Sequence, residues 1–331
     1  MDPLLATIRE DLGSEVELLS EHPRRHSRVL RVAAGGERLF VKQVKLKGKD
    51  AAARERTASR VQNEFDIMQR IHDSMRMDEG LFCIRPVACY PEQLALAMEE
   101  ARGHTLNAEL RRHARWWPGK RKLARLHETL RRVGLWMRRF QELTREGEAP
   151  PQMLETLRLE IAGFLSTLVD RPRAAFSREL AESIREYVAR AIDGAGDEPL
   201  AATGATGEIS PENMLIDEGR VTYVDFGMYS LRTAFSDPAM MFQHLARLQL
   251  QPTFRPRTIG ALKEAFLEGY GHPDLHLHPL FRAYRIKYRL SRIDAESGRK
   301  WEGYDPARKL YFRRSWRRSR QHLALLTQAD G

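Results

Sequence analysis

Apolar and polar positions change period along this chain. Val16–Leu19, Arg28–Ala33 and Leu39–Val44 are strand-like stretches, and Gly35-Gly36 between the last two is what a tight hairpin requires. From Ala51 to His72 the period lengthens: Val61, Phe65, Met68 and Ile71 recur at helical spacing. Two more strand-like runs follow, Phe82–Tyr90 and Leu94–Met98. Ahead of all this, Asp2-Pro3 is a cap and first helical residue for a short opening helix. Ala101-Arg102-Gly103 looks like a hinge, and beyond it the pattern is mostly helical. Thr105 caps one helix, and residues 121–145, 152–169 and 173–193 form three more. A turn-rich break over 195–230 holds two short apolar runs, Met214–Ile216 and Val221–Val224, before helical patterns resume near 237. The order predicts an α+β chain in two parts: a small sheet lobe with one helix over 1–101, and a larger helical lobe over 102–331.

Composition agrees with a folded globular chain. Of 331 residues, 42% are hydrophobic and 30% charged, and no stretch approaches the ~18 apolar residues of a membrane span. Glu10, Asp11 and Glu15 follow closely on Met1 to Leu5, unlike a signal peptide, so a cytoplasmic protein is expected. Cys83 and Cys89 are too few for a disulfide framework and read as buried thiols. The charge changes the picture more. The chain carries a net +10, and Arg282–Arg320 alone holds 14 Lys/Arg against 4 Asp/Glu. Such a concentration attracts phosphates, nucleic acid or acidic lipid headgroups. No nucleic-acid-binding module accompanies it, so nucleic acid is not the expected partner.

The chemistry concentrates in Thr206–Ile216 and Val221–Gly227. Glu208, Asn213 and Asp225 fall on loops flanking a short hairpin. A nucleotide triphosphate needs Mg²⁺, and Mg²⁺ takes hard oxygen ligands from one or two protein groups plus phosphates, which Asn213 and Asp225 can supply. A further carboxylate near an acceptor hydroxyl orients it and takes its proton.

These residues resemble the catalytic loop and Asp-Phe-Gly metal motif of protein-kinase-like phosphotransferases, most closely the aminoglycoside/choline phosphotransferase group. That group's loop reads His-Gly-Asp, four residues, Asn. Here Asn213 lies five after Glu208 and Asp225 twelve after Asn213. Ser236-Asp237-Pro238-Ala239 resembles the Asp-Pro segment that follows in these enzymes. Lys42 is similar to their third-strand lysine, which holds the α/β-phosphates, and Glu64 to its helix-borne partner, with Glu55 as the rival. Met98-Glu99-Glu100 resembles the hinge that receives adenine through backbone groups. The resemblance covers about residues 15–245. It implies a two-lobed fold with a small antiparallel sheet, and it implies ATP and Mg²⁺ as cofactors. It also implies an ATP-dependent kinase that phosphorylates a hydroxyl, with Glu208, Asn213 and Asp225 catalytic.

The acceptor follows from the charge. A cationic aminoglycoside suits a basic chain badly. The bacterial lipopolysaccharide-core sugar kinases, a related group, share a basic enzyme acting on a phosphorylated glycolipid at the inner membrane face. An anionic sugar or glycolipid acceptor, with peripheral contact through the basic C-terminal segment, is therefore the preferred expectation.

The chain departs from the pattern at three places. Glu208 stands for Asp, which moves the carboxylate by on the order of 1 Å, and misplacement of that size can cost ~100-fold. Thr206 stands for His. No Gly-rich loop joins the first two strands, where the chain reads Ser20 to Ser27 with Arg24 and Arg25 as substitutes for its charge or as a solvated turn. The competing expectation is thus a pseudokinase that senses nucleotide or scaffolds a partner. Other features have two readings each. His272, His276 and His278 suggest metal or, better, a polar turn. Trp116-Trp117, within a basic cluster from Arg111 to Lys122, suggests a docking patch or a core anchor. Tyr311–Arg320 suggests an interfacial helix or an ordinary closing one.

Overall fold

The Asp2 carboxylate opens the first helix by accepting the Leu4 N–H at 3.0 Å, with Pro3 as its first residue. The computed structural model describes residues 2–46, 48, 50–76, 78, 80–195, 200–299 and 306–328. Its contacts divide the chain into two units: Met1–Ala108 with Thr206–Glu208 and Glu212–Tyr229, and Glu109–Ala205 with Ile209–Pro211 and Ser230–Gly331.

In the first unit the order is α1 (Pro3–Leu12), β1 (Val16–Pro23), β2 (Ser27–Ala34), β3 (Glu37–Val44), α2 (Ala51–Met75), β4 (Leu81–Cys83), β5 (Pro86–Tyr90), β6 (Ala95–Glu99), β7 (His104–Thr105) and the start of α3 (Leu106–His113). Strands β1-β2-β3-β6-β5 form an antiparallel sheet. Its inward positions, Leu30 and Val32 on β2 and Leu39 and Val41 on β3, bury against Leu4 and Ile8 of α1. Gly35 and Gly36 both have positive φ, 57° and 84°, the conformation a two-residue hairpin of this twist demands. The run Phe82–Tyr90 is two strands, not one. Pro86 brings no N–H to a ladder, and the chain changes sheets at Ile84-Arg85. Strand β4 instead lies parallel to a later strand (below). Helix α2 runs one turn beyond the predicted His72, because Met75 continues the buried stripe of Val61, Met68 and Ile71.

The second unit is helical: α4 (Lys120–Leu143), α5 (Pro151–Val169) and α6 (Arg178–Asp193) precede β8 (Ala202–Ala205). The chain then re-enters the first unit as β9 (Met214–Asp217) and β10 (Arg220–Tyr223), a hairpin joined to β4 and β7. It returns to the helical unit as β11 (Ser230–Thr233), which pairs with β8, followed by α7 (Ser236–Leu248), α8 (Pro256–Tyr270), α9 (Pro279–Ser297) and α10 (Pro306–Gln328). The helix expected over 173–193 starts later. Pro172–Ala174 is a single 3₁₀ turn closed by Ala175 at φ 46°, and Ser177 caps α6 by accepting the Leu180 N–H at 3.2 Å.

Several two-sided readings resolve. His278 caps α9 by accepting the Leu280 N–H at 3.2 Å, so it serves the turn. Trp116 and Trp117 are 58% and 73% exposed and are not core anchors; the Arg255 guanidinium lies 4.5 Å from the Trp117 ring centre. On α10 two aromatics turn inward. Phe312 and Trp316 are buried and stack at 6.1 Å, and the Trp316 indole N–H donates to Glu296 at 3.1 Å, which is the ordinary closing helix. Residues 300–305 and the side chains of 306–308 and 311 lie outside the described residues. Cys83 is buried and Cys89 half-buried, and burial raises both thiols, Cys89 to about 11. Among the described residues no helix is long and apolar enough to cross a membrane.

Candidate active site

Strand β3 and helix α2 place the first pair. Lys42 leaves β3 on the face opposite Val41, and Glu64 sits at the middle of α2 between the buried Val61 and Met68. Lys42 Nζ donates to Glu64 Oε1 at 2.7 Å. Glu64, not Glu55, is therefore the helix partner. The same ammonium donates to Asp225 Oδ1 at 2.9 Å, so one cation bridges two carboxylates. Burial pulls the Lys42 pKa down, but Glu64 and Asp225 outweigh it and hold the ammonium above its ordinary range. Burial pushes Glu64 up, against the pull of Lys42 and with a further push from Asp225.

Asp225 reaches this point because of the β9–β10 hairpin. Its turn passes through Glu218 and Gly219 at φ 46° and 88°. At its open end, Val224 N–H donates to the Asn213 carbonyl at 3.2 Å, which sets Asn213 beside the start of the Asp-Phe-Gly segment. Phe226 is buried edge-on against Tyr223, with ring centres 4.9 Å apart, and fixes the loop. Asp225 Oδ1 also accepts the Gly227 N–H at 3.2 Å. A side chain at Gly227 would put its Cβ 3.1 Å from both Lys42 Nζ and Glu64 Oε2, so these groups would have to shift by a few tenths of an ångström to admit one.

The segment Thr206–Glu208 has its own constraint. Gly207 holds φ +73°, and a Cβ would lie 2.4 Å from the Met228 carbonyl oxygen. Only glycine lets Thr206–Glu208 run this close to the segment after Phe226. Thr206 is fully buried. Asn213 Nδ2 donates to the Glu208 carbonyl oxygen at 3.3 Å, so its amide nitrogen braces the loop.

These groups line a cavity of about 500 Å³, in which Lys42, Glu64, Glu208, Asp225, Gly227 and Met228 face His26, Ser27, Lys45, Arg56, Thr57 and Arg60. The basic wall went unseen in the sequence reading, yet its signal is present. Arg56, Arg60 and Glu64 are spaced four apart, so any helix that presents Glu64 presents both arginines on the same stripe. Arg24 and Arg25 do not line the cavity. They are exposed at the tip of the β1–β2 hairpin, where Arg24 N–H donates to the Ser27 carbonyl at 2.8 Å, which is the solvated turn.

The structure does not bring Met98, Glu99 and Glu100 to this cavity. Met98 is buried at the end of β6. The Glu99 N–H donates to Arg85 O at 3.0 Å and the Glu100 N–H to Arg38 O at 2.9 Å. Their carboxylates pair with Arg85 and Arg31.

A divalent ion fits the oxygen chemistry of Asp225 and Asn213. Among the described residues no group of three or more His, Cys, Asp or Glu could hold a metal ion by itself.

An antiparallel sheet carrying a lysine, a helix carrying its glutamate, and a hairpin ending in Asp-Phe-Gly define the fold of protein-kinase-like phosphotransferases. Solved structures share it over nearly the whole chain. Aminoglycoside phosphotransferase APH(4)-Ia aligns over 99% of this chain and 98% of its own, at 12% identity and a TM-score of 0.57. Macrolide 2'-phosphotransferase MphH from Brachybacterium faecium aligns over 95% and 98%, at 14% identity and 0.55. Choline kinase LicA from Streptococcus pneumoniae aligns over 97% and 99%, at 15% identity and 0.51. At such identities the likeness establishes the fold. No family model matches the chain, and neither does any curated protein sequence.

Proposed function

We propose that this chain is an ATP-dependent phosphotransferase that moves the γ-phosphate to a hydroxyl of a small-molecule acceptor. The observation that carries the reading is the Lys42 ammonium held between Glu64 and Asp225, at 2.7 and 2.9 Å, on a cavity that also takes in Glu208. In kinase-like enzymes the lysine–glutamate pair and the metal-binding aspartate must both be in place for turnover. Solved relatives add support: APH(2'')-Ib is ADP-bound and APH(2'')-IIa is a ternary complex with ATP and streptomycin.

In this reading Glu64 orients Lys42, and Lys42 holds the α/β-phosphates. Asp225 and the Asn213 amide oxygen would hold Mg²⁺, which would supply charge neutralisation at the phosphates. Glu208 orients the acceptor hydroxyl and takes its proton. Lys45, Arg56 and Arg60 add positive potential where a Gly-rich loop is missing. Met98, Glu99 and Glu100 remain the proposed adenine edge; with two N–H groups engaged, recognition there uses a carbonyl acceptor or the exchange of one of those bonds.

The finer reading of the acceptor is an anionic sugar or glycolipid of the lipopolysaccharide-core type, met by a cytoplasmic enzyme peripheral to the membrane. Two observations support it: the net charge of +10 and the basic cavity wall, neither of which suits a polycationic acceptor. Neutralising the exposed arginines of α10, Arg313, Arg314, Arg317 and Arg318, should reduce binding to anionic vesicles, and unchanged binding removes the membrane part.

The test of the reaction is thermal stabilisation by Mg·ATP, native chain against Asp225→Ala. At ~100 times the dissociation constant the ligand adds about 2.7 kcal/mol. A shift that requires Mg²⁺ and disappears in the variant is expected. No shift with either protein overturns the nucleotide site.

Glu208 in the aspartate's place and Thr206 in the histidine's favour a second reading, a pseudokinase. Glu208→Asp separates the two: a rise from no turnover to clear turnover marks a silenced site, and a fall marks an active one tuned to glutamate.

A further inference from the structure

The basic C-terminal segment is not all surface. On α9, Arg285 and Arg289 are 5% and 3% exposed, one helical turn apart on one face. Lys263 of α8 joins them. Its ammonium lies 4.8 Å from the Phe242 ring centre, and the Arg285 guanidinium lies 4.6 Å from the same centre. The amide of Gln243, with its oxygen toward α9, accepts from Nε and Nη2 of Arg289 at 3.0 Å each. On the α10 side, the His322 ring nitrogen Nε2 stands 3.4 Å from Arg285 Nη2. Phe242, Gln243, Lys263, Arg285, Arg289 and His322 thus converge from four helices of one unit.

What this cluster lacks is an anion. Among the described residues none of the three cations has a carboxylate partner. Arg285 Nε and Arg289 Nη1 are buried with no hydrogen-bond acceptor. The same helix shows what satisfaction looks like: Lys287 pairs with Glu160 at 2.5 Å and Arg292 with Glu296. Cation–π contact with Phe242, a neutral amide and an imidazole are weak compensation for three desolvated positive charges. Burial lowers all three, Arg289 to about 9 with Arg285 adding, Arg285 to about 10 with Arg282 adding, and Lys263 to about 8 with Arg285 and Arg289 adding against a partial pull from the exposed Glu264; burial and these cations also lower His322 to about 3.

We propose that Lys263, Arg285 and Arg289, between α7, α8, α9 and α10, form a binding site for a phosphate-type oxyanion. Arginine forks match the spacing of phosphate oxygens, the free Nε and Nη1 hydrogens supply donors, and Lys263 beside them is half-buried. Inorganic phosphate and the phosphate end of a small ester share this chemistry. The site does not depend on the nucleotide reading, because none of its residues lines the Lys42 cavity.

The experiment is thermal denaturation and calorimetric titration of the full chain with sodium phosphate at fixed ionic strength, against sodium chloride. Glycerol 3-phosphate forms a parallel arm. The native chain should show a saturable rise of about 5 °C at ~100 times the dissociation constant. Arg289→Met and Lys263→Met should each weaken phosphate binding at least ~10-fold, while Arg56→Ala/Arg60→Ala in the other cavity keeps it. Tighter binding of glycerol 3-phosphate assigns an ester as the ligand, and tighter binding of inorganic phosphate assigns the free ion. In phosphate-free buffer Arg289→Met should melt no lower than the native chain, since it removes an uncompensated charge. Equal shifts in chloride, or an undiminished phosphate response in both variants, overturn the proposal. So does an Arg289→Met chain that melts lower without phosphate and titrates like the native one, which would mean the protein itself compensates these cations.

Discussion

Lys42 and Asp225 stand 183 positions apart in the chain, and the lysine ammonium donates to the aspartate Oδ1 across 2.9 Å. Glu64 holds the other side of the same ammonium and is 2% exposed in its side chain. Two carboxylates this close repel unless a cation lies between them, so the lysine ammonium holds Glu64 and Asp225 together.

Lys42→Met should therefore act twice. It leaves the buried Glu64 charge unpaired, at a cost of about 3 kcal/mol read by chemical denaturation. It also abolishes measurable phosphoryl transfer. Lys42→Met/Glu64→Leu should recover most of the stability and none of the turnover. Recovery of neither would mean that Glu64 is not destabilised by losing its partner.

Gly207→Ala should cost about 1–2 kcal/mol from the left-handed backbone alone, and the contact with the Met228 carbonyl adds to it. Because Glu208 is the next residue, turnover should fall more than stability predicts. A fully active, native-stability variant would show that the loop relaxes freely.

The sheet lobe was legible because each of its signals is local: alternation on β2 and β3, two glycines at the turn, a helical stripe through Val61 and Met68. The Lys42–Glu64–Asp225 contact was legible because motif spacing carries the chain order of these residues; Asn213 is not among the residues that line the cavity. The strand break at Ile84-Arg85 was not, since periodicity cannot say which sheet a strand joins. Nor was the fate of the C-terminal charge. A count of Lys and Arg over Arg282–Arg320 cannot separate Arg285 and Arg289, buried inside the helical unit, from Arg313 and Arg314 on its surface. Thr105 and Ser177 show the opposite case: the structure makes both helix caps, but only Thr105 was picked out from its position after a glycine-bearing hinge.

Arg56 and Arg60 give a prediction about binding alone. Both are exposed on α2, so alanine at either should change stability by no more than about 0.5 kcal/mol. Together they should raise the KM for Mg·ATP or for an anionic acceptor about tenfold with little change in kcat. The loss should shrink at high salt as screening weakens the native wall. A KM unchanged for both substrates would remove these arginines from the phosphate site.

Acid should destabilise the helical unit through two histidines. Burial lowers His244 to about 4, with Arg247 and Arg292 adding to the fall, and lowers His322 to about 3, with Arg289, Arg285 and Lys263 adding. Both lie below the ordinary value of 6.5. Between pH 6.5 and about 4 the unfolded chain therefore takes up protons that the native chain refuses. Stability is complete above pH 6.5 and is lost as pH falls, with each histidine contributing at most about 1.4 kcal/mol per pH unit. Denaturation midpoints from pH 8 to 4 should fall along this limb, and His244→Gln or His322→Gln should each flatten it. At His322 the slope also reads its neighbours: Arg289→Met should soften it by removing the cation that repels the imidazolium most. A limb unaltered in both glutamine variants would assign the acid sensitivity to the carboxylates instead.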